Sequence, residues 1–257
     1  MLGAIALAVM GFILGLLGAG GALLTLPILT LFWGIPASDG TGMSLFIIGT
    51  VSLVGALLES RSGALRLRRV LGIAIPSLLT VAVVRRLLLP LLPETLIFGP
   101  LTLTLDRALG LGFGVVVLAA AAAMLRARDE PTQEEPGLAQ LAGRGVLVGA
   151  ISGTFGAGGG FIIVPVLRRS LRFPMREAVA TSLGIITINC AVGVLAGLHA
   201  FPPELWGKTF AASGIALVGM AIGKTLQSRI PTSAFQKAFL VLLVTVGIAM
   251  LAINAAV

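Results

Sequence analysis

The sequence predicts an all-α polytopic membrane protein, and three observations support this fold class: scarce charge, long apolar segments and an internal repeat. Charged residues make up 11% of the 257 residues and hydrophobic residues 57%, whereas a soluble domain carries about 25% charged residues. The mean hydropathy is +1.09. Because so few polar side chains cannot cover a water-soluble globule of this size, we expect the chain to lie in a bilayer. The predicted location is the cytoplasmic membrane of a prokaryote, crossed several times.

Eight apolar segments follow one another, each near the roughly 20 residues that a membrane-spanning helix needs. They lie at about 3–32, 39–58, 66–90, 106–126, 143–167, 177–198, 204–226 and 233–256. One acidic, polar stretch, from Arg126 to Pro136, bisects the chain. The predicted organisation is therefore a first membrane repeat at 1–125, a polar cytoplasmic linker at 126–142 and a second membrane repeat at 143–257.

Two glycine-rich clusters, each followed by a proline and a serine, indicate that the two halves are homologous. In the first half these residues are Gly18, Gly20, Gly21, Pro27 and Ser44, and in the second half Gly156, Gly158, Gly159, Pro165 and Ser182. Every equivalent pair is separated by 138 positions. Because a fixed register over this length does not arise by chance in a glycine-rich chain, it indicates a duplication.

The basic residues change sides between equivalent loops, which predicts that the halves are inverted repeats. Residues 59–69 carry four arginines, whereas the equivalent residues 197–208 carry only Lys208 as a base. Conversely, residues 168–177 carry four arginines and their counterpart at 33–40 carries no base. Since basic loops stay in the cytoplasm, equivalent loops then face opposite sides. The pattern is satisfied if each half has a glycine-broken, re-entrant first segment followed by three transmembrane helices.

The glycine clusters are the predicted substrate site. Glycine lets the chain leave helical geometry, and the N-terminus of the next half-helix offers free N–H groups and a positive dipole end, which suit an anion. Two such breaks meeting at the repeat interface would form a pseudo-symmetric anion site, with Pro27 and Pro165 shaping the returning half-helices. Close helix packing through small residues is the alternative, and the repeated register favours a site.

Four polar residues complete the predicted site. Ser44 and Ser182 are repeat equivalents and are expected to donate to anion oxygens beside the breaks, and Thr181 and Asn189 join them in the second half. Most other hydroxyls in the segments are expected to bond to their own helix. The charged residues near segment ends are expected to extend toward water; they are Asp39, Glu59, Arg85, Arg86, Glu177 and Lys224.

The sequence offers no basis for enzyme chemistry, a metal or a cofactor. No His, Cys, Asp and Glu cluster has metal-ligand spacing, and no nucleophilic triad is apparent. The net charge of +8 comes from short basic loops, so a membrane explains it better than nucleic acid. The expected partners are a small anionic substrate and the lipid bilayer, and a homo-oligomer is compatible with the sequence. Two alternatives stay open: a membrane-embedded enzyme acting on a lipid phosphate, and a non-transporting membrane scaffold.

The paired Gly-x-Gly-Gly clusters, with Pro27, Pro165, Ser44 and Ser182 behind them, resemble the TauE/SafE sulfite exporter family over essentially the whole chain. The resemblance implies a transporter that exports or imports sulfite, sulfonates or related small anions. In the first half, Ala22 replaces a third consecutive glycine, so the first break is expected to be the less regular of the two.

Overall fold

The structure is a computed structural model that is helical over nearly all of the residues it describes. These residues are 2–17, 21–60, 71–93, 95–98, 101–126, 137–156, 158–171, 173–227 and 232–256. Among them, five stretches are long and apolar enough to cross a membrane: Ala37–Ser60, Leu71–Leu91, Leu105–Ala122, Glu177–Gly197 and Leu205–Leu226. The predicted multi-pass, α-helical membrane protein is therefore confirmed.

The first half begins with two short helices and continues with three longer helical stretches. Its helices are α1 Leu2–Leu17, α2 Ala22–Trp33, α3 Ala37–Ser60, α4 Leu71–Val83, a π-helical turn Val84–Leu88, α5 Leu89–Leu91 and α6 Leu105–Arg126. An antiparallel hairpin of β1 Thr95–Phe98 and β2 Leu101–Thr104 connects α5 to α6. The all-α prediction did not include this hairpin; the leucine and threonine residues of β2 alternate, as fits a pleated strand.

The second half repeats the order of the helices. Its elements are α7 Leu138–Phe155, α8 Gly160–Leu171, α9 Met175–Gly197, a 3-10 turn Leu198–Ala200, α10 Leu205–Leu226 and α11 Thr232–Ala256. Helix α7 begins inside the stretch assigned to the linker, and residues 127–136 of that stretch lie outside the described residues. In each half the first apolar segment is interrupted at its glycine cluster, as the sequence indicated.

The helices pack in pairs that relate one half to the other. Helix α1 packs on α10 as α4 packs on α7, while α3 packs on its equivalent α9 and α6 on its equivalent α11. Small residues bring these helices together: a methyl group on Gly15 of α1 would lie 3.0 Å from the main chain of Met220 of α10. The centre of the molecule is therefore the α3–α9 contact, enclosed by the α1–α10 and α4–α7 pairs.

Helices α1 and α2 form a hairpin rather than one long helix. A methyl group on Gly3 would lie 2.6 Å from Cδ1 of Trp33, so the start of α1 contacts the end of α2. In a straight helix these residues would be about 45 Å apart, at about 1.5 Å per residue. The chain therefore turns back after Leu17.

The second half turns back at the equivalent place. A methyl group on Gly21 would lie 2.6 Å from Cβ of Leu14, and one on Gly159 would lie 3.5 Å from Cβ of Ser152. Gly21 and Gly159 are 138 positions apart, and so are Leu14 and Ser152. Equivalent residues therefore approach one another where the chain reverses in each half.

The α7–α8 hairpin predicts that the starts of α7 and α10 lie on opposite faces of the membrane. Cysteines at Gly143, near the start of α7, and Gly207, near the start of α10, should be labelled by an impermeant thiol reagent from opposite faces. The α7–α8 hairpin returns to its starting face and α9 then crosses once, whereas a straight α7–α8 segment would bring both residues to one face. An added side chain is unobstructed at either position. Labelling in intact cells and in inverted vesicles, with Cys190 changed to serine, provides the measurement; labelling from one face would contradict the hairpin.

Candidate functional site

The glycine break in the second half is held in a backbone conformation that side chains disfavour. Gly156, Gly158 and Gly159 have φ values of +66°, +65° and +70°. The N–H groups of Ile162 and Ile163 both donate to the carbonyl of Gly159, at 3.0 and 3.1 Å, which starts α8 immediately after the break. Because residues with a Cβ rarely adopt positive φ, the break depends on these glycines.

Helices α3 and α9 enclose this break from two sides. The Ser44 hydroxyl of α3 donates to the carbonyl oxygen of Gly156 over 2.8 Å. A methyl group on Gly156 would lie 2.8 Å from Cα of Thr41, and one on Gly158 would lie 3.0 Å from Cγ2 of Ile186 in α9. The predicted residues Ser44, Gly156 and Gly158 are therefore brought together at the centre of the fold.

Ser182 does not mirror Ser44, although the two are repeat equivalents. Its hydroxyl donates to the carbonyl of Val179, one turn earlier in α9, over 2.7 Å. Both Ser182 and its neighbour Thr181 are fully buried. The hydroxyl hydrogens of Ser44 and Ser182 thus both go to carbonyl groups, across the fold in one case and within a helix in the other.

Asn189 lies in a buried polar group next to the break. Its Nδ2 donates to Oγ of Ser77 in α4 over 2.6 Å. Its Oδ1 and the Ser152 hydroxyl are buried and have no hydrogen-bond partner among the described residues. Since a buried polar atom without a partner is costly, this region offers unused hydrogen-bonding capacity.

The first break differs in conformation from the second, as far as it is described. Gly18 and Gly20 lie outside the described residues, while Gly21 caps α2 with φ −63°, in the right-handed region. Its repeat equivalent, Gly159, has φ +70°. Pro27 lies within α2 and Pro165 within α8, each inside the half-helix that follows its break.

Arg85 was expected to extend toward water, and this expectation is wrong because its side chain is buried. It is 6% exposed, and its Nη1 donates to Oγ1 of Thr41 over 2.9 Å. Its Nε has no hydrogen-bond partner within the described part of the chain. Thr41 also borders Gly156, so one residue links the guanidinium to the glycine break.

The sequence did not indicate that the Arg85 side chain is buried. Arg85 and Arg86 lie in Val84–Leu88, inside an otherwise α-helical stretch. Arg85 is buried and Arg86 is exposed. Two consecutive arginines in an apolar segment do not by themselves indicate which of them faces the protein. The detectable signal was an Arg-Arg pair within an apolar segment.

Glu59 and Lys224 were also expected to extend toward water, and the structure instead pairs them. Glu59, at the end of α3, is 3% exposed and forms an ion pair with Lys224, at the end of α10. Lys224 also donates to Oε1 of Gln227 over 2.7 Å. This ion pair lies at the end of α3 that is farthest from Thr41.

A cavity of about 200 Å³ opens beside Arg85. Its wall is mainly apolar and aromatic, with Phe46, Phe201 and Trp206, and also includes Asp39 and Gly197. The ring centroids of Phe46 and Phe201 lie 5.4 and 4.8 Å from that of Trp206. Within the described ranges, no group of three or more His, Cys, Asp or Glu residues is placed to hold a metal ion. The arrangement places a buried guanidinium beside a cavity with a mainly apolar and aromatic wall.

Comparison with known proteins gives consistent results. The family model for "Sulfite exporter TauE/SafE" matches residues 3–250. A probable membrane transporter protein of Methanocaldococcus jannaschii is 30% identical over 203 residues, which cover 76% of this chain and 72% of that protein. A probable membrane transporter protein of Xylella fastidiosa strain Temecula1 is 27% identical over 226 residues, covering 87% and 83% of the two chains. No solved structure matches the chain.

The left-handed break predicts a stability effect at Gly158. Gly158→Ala should lower the free energy of unfolding by about 1–2 kcal/mol, the cost of placing a Cβ residue at positive φ. The new methyl group would also lie 3.0 Å from side-chain atoms of Ile48 and Ile186. Thermal unfolding of detergent-solubilised protein provides the measurement. Gly214→Ala on α10, where an added methyl group meets nothing within 4 Å, is the control; equal effects of both changes would refute a conformational role for Gly158.

Proposed function

The chain belongs to the TauE/SafE sulfite exporter family, and from this premise we propose that it is a secondary transporter of a small anion, such as sulfite, a sulfonate or a related oxyanion. Its family and its multi-pass helical fold both support a membrane transporter. The anionic character of the substrate, its binding site and the inverted arrangement of the halves are our proposals. Each of them is supported by separate features of the molecule.

One observation carries the anionic substrate: a buried arginine adjoins a helix break at the centre of the fold. Arg85 makes no ion pair with any residue that the structure describes. A buried cation is costly unless an opposite charge compensates it. The same break begins α8, whose N-terminal dipole end also favours a negative charge. An anion bound at the break would compensate the guanidinium and meet this dipole end.

The glycine breaks and the nearby polar residues are assigned to this site by proximity and by repeat equivalence. Gly156, Gly158 and Gly159 form the described break, and Gly18, Gly20 and Gly21 are assigned to its counterpart in the first half. Ser44 holds the break through the carbonyl of Gly156. Thr181, Ser182 and Asn189 belong to α9, which packs against the same break. We assign Ser44 a positioning role, because its hydrogen is already donated to Gly156.

The two halves are proposed to be inverted repeats, 1–125 and 143–257, joined by a cytoplasmic linker at 126–142. A hairpin that returns to its starting face, followed by three crossings, leaves the second half in the opposite orientation. The basic loops then lie in the cytoplasm. The cavity beside Arg85 opens at the start of α3, on the outer face, and the Glu59–Lys224 pair lies on the cytoplasmic face. Rocking of the halves about the break would expose the site to each side in turn.

A site that binds its anion through one buried cation and neutral donors suits transport better than storage, because an anion must leave as well as enter. With the cell interior negative, each 100 mV favours the exit of a monoanion by about 2.3 kcal/mol. Export therefore requires no coupled ion in this proposal.

The proposed function is tested by flux in proteoliposomes at a clamped membrane potential. We expect saturable flux of sulfite or of a small sulfonate that follows the potential, because the carried charge is uncompensated. Gly158→Val should abolish this flux by obstructing the break. Gly214→Val, at a position without neighbours, should transport like the wild type.

The outcomes separate the alternatives. Absence of flux for every anion tested, in folded and correctly oriented protein, would exclude the anion carrier and favour a scaffold. Turnover of a phosphorylated lipid in the same vesicles would favour a membrane-embedded enzyme. Unimpaired flux in Gly158→Val would assign the glycines to helix packing alone.

A further inference from the structure

Arg85 has a counterpart in the other half of the molecule, and the two differ in one partner. Gly15 of α1 contacts Met220 of α10, and the equivalent Gly153 of α7 contacts Val81 of α4. The glycines differ by 138 positions and their partners by 139, so α4 and α10 correspond with an offset of 139 before the π turn. The contacts between helices therefore show which residues at the ends of α4 and α10 correspond.

Arg85 lies four positions after Val81, at the start of the π turn, as Lys224 lies four positions after Met220, so the pair Arg85 and Gly197 corresponds to the pair Lys224 and Glu59. Gly197 and Glu59 differ by the repeat spacing of 138 positions. Both pairs are neighbours in space: Lys224 is ion-paired with Glu59, and a methyl group on Gly197 would lie 3.9 Å from Nε of Arg85. A basic residue thus lies beside the end of α3 in one case and of α9 in the other.

The two pairs differ in whether a carboxylate accompanies the basic residue. At one end of the molecule the Glu59 carboxylate compensates Lys224. At the other end glycine replaces the acid, the guanidinium lacks an ion pair within the described residues, and the cavity of about 200 Å³ lies alongside. Among the described residues, the position of the Glu59 carboxylate therefore has no acidic counterpart beside Arg85.

We propose that the transported anion occupies the place of this missing carboxylate, bound to Arg85 and adjoining Gly197. The proposal rests on the proposed function and names the ligand class of its site: a singly charged oxyanion with two oxygens at its head, as in a carboxylate, a sulfonate or hydrogen sulfite. The guanidinium offers adjacent N–H donors in a fork that matches two oxygens, and Thr41 fixes its orientation through Nη1.

Other charges near the cavity favour one negative charge over two. Asp39 lies in its wall, and Asp106 and Glu204 lie close enough to Asp39 to interact with it electrostatically. Arg85 compensates a single charge, and these acidic groups repel a second one. The small size of Gly197 leaves the space that the head group of the anion needs.

A carboxylate supplied by the protein itself tests this inference. Gly197→Glu should mimic Glu59, pair with Arg85 and compete with the anion, whereas Gly197→Gln fills the same space without the charge. The backbone permits both changes, since Gly197 has φ −96° and ψ 0°. The measurement is the rise in the unfolding temperature of detergent-solubilised protein with added methanesulfonate or sulfite, together with flux in proteoliposomes.

We expect Gly197→Glu to weaken anion binding roughly 10- to 100-fold, the range for a charge-assisted hydrogen bond. Without anion, it should unfold at the temperature of the anion-saturated wild type, an increase that a merely misfolded variant would not show. Gly197→Gln should retain anion-dependent stabilisation and show no such increase.

Arg85→Gln provides a second, independent variant, with the exposed neighbour Arg86→Gln as its control. Arg85→Gln should lose anion-dependent stabilisation and flux, and Arg86→Gln should keep both within about twofold. If the wild type carries an anion and neither Gly197→Glu nor Arg85→Gln weakens its binding, the inference is overturned and the proposed function stands. If the wild type binds and carries no anion, the proposed function itself fails.

Discussion

The fold depends on satisfying the peptide groups of a helix that is broken inside an apolar environment. Lipid offers no hydrogen bonds, so an interrupted helix must find its donors and acceptors within the protein. The break at Gly156 does so locally and at long range: its N–H donates to Ser152 and its carbonyl accepts from Ser44 of α3. This requirement places α3 against the break. The packing of α3 on α9, and the burial of residues along both helices, follow from that contact.

A repeated fold does not impose repeated chemistry. The helix pairs correspond across the halves, yet Ser44 reaches the other half while Ser182 bonds to its own helix. The ends of the molecule differ in the same way, since a carboxylate compensates Lys224 and none compensates Arg85 within the described residues. Duplication supplies two similar frameworks, and single substitutions then make their two faces different. A carrier needs such a difference if one face is closed while the other is open.

Charge in this molecule is sparse, and its placement is therefore informative. A buried guanidinium persists only where its surroundings or a ligand compensate it. Thr41 contributes in two ways, because its side chain accepts from Arg85 and its main chain borders Gly156. The charge and the helix break consequently act at one place. The aromatic residues Phe46, Phe201 and Trp206 line the cavity beside it.

The sequence by itself determined the membrane location and the interruption at Gly156, because hydropathy and glycine clustering are properties of the chain alone; the duplication of the halves is a prediction from the spacing of 138 positions. It also identified Ser44 and Gly156, which the fold brings into contact. Only the tertiary structure decided that Arg85 is buried and that Glu59 pairs with Lys224. The reason is physical: which of two neighbouring arginines is buried, and whether residues 165 positions apart form an ion pair, both depend on how the helices pack. Neither leaves a periodic signal in the sequence.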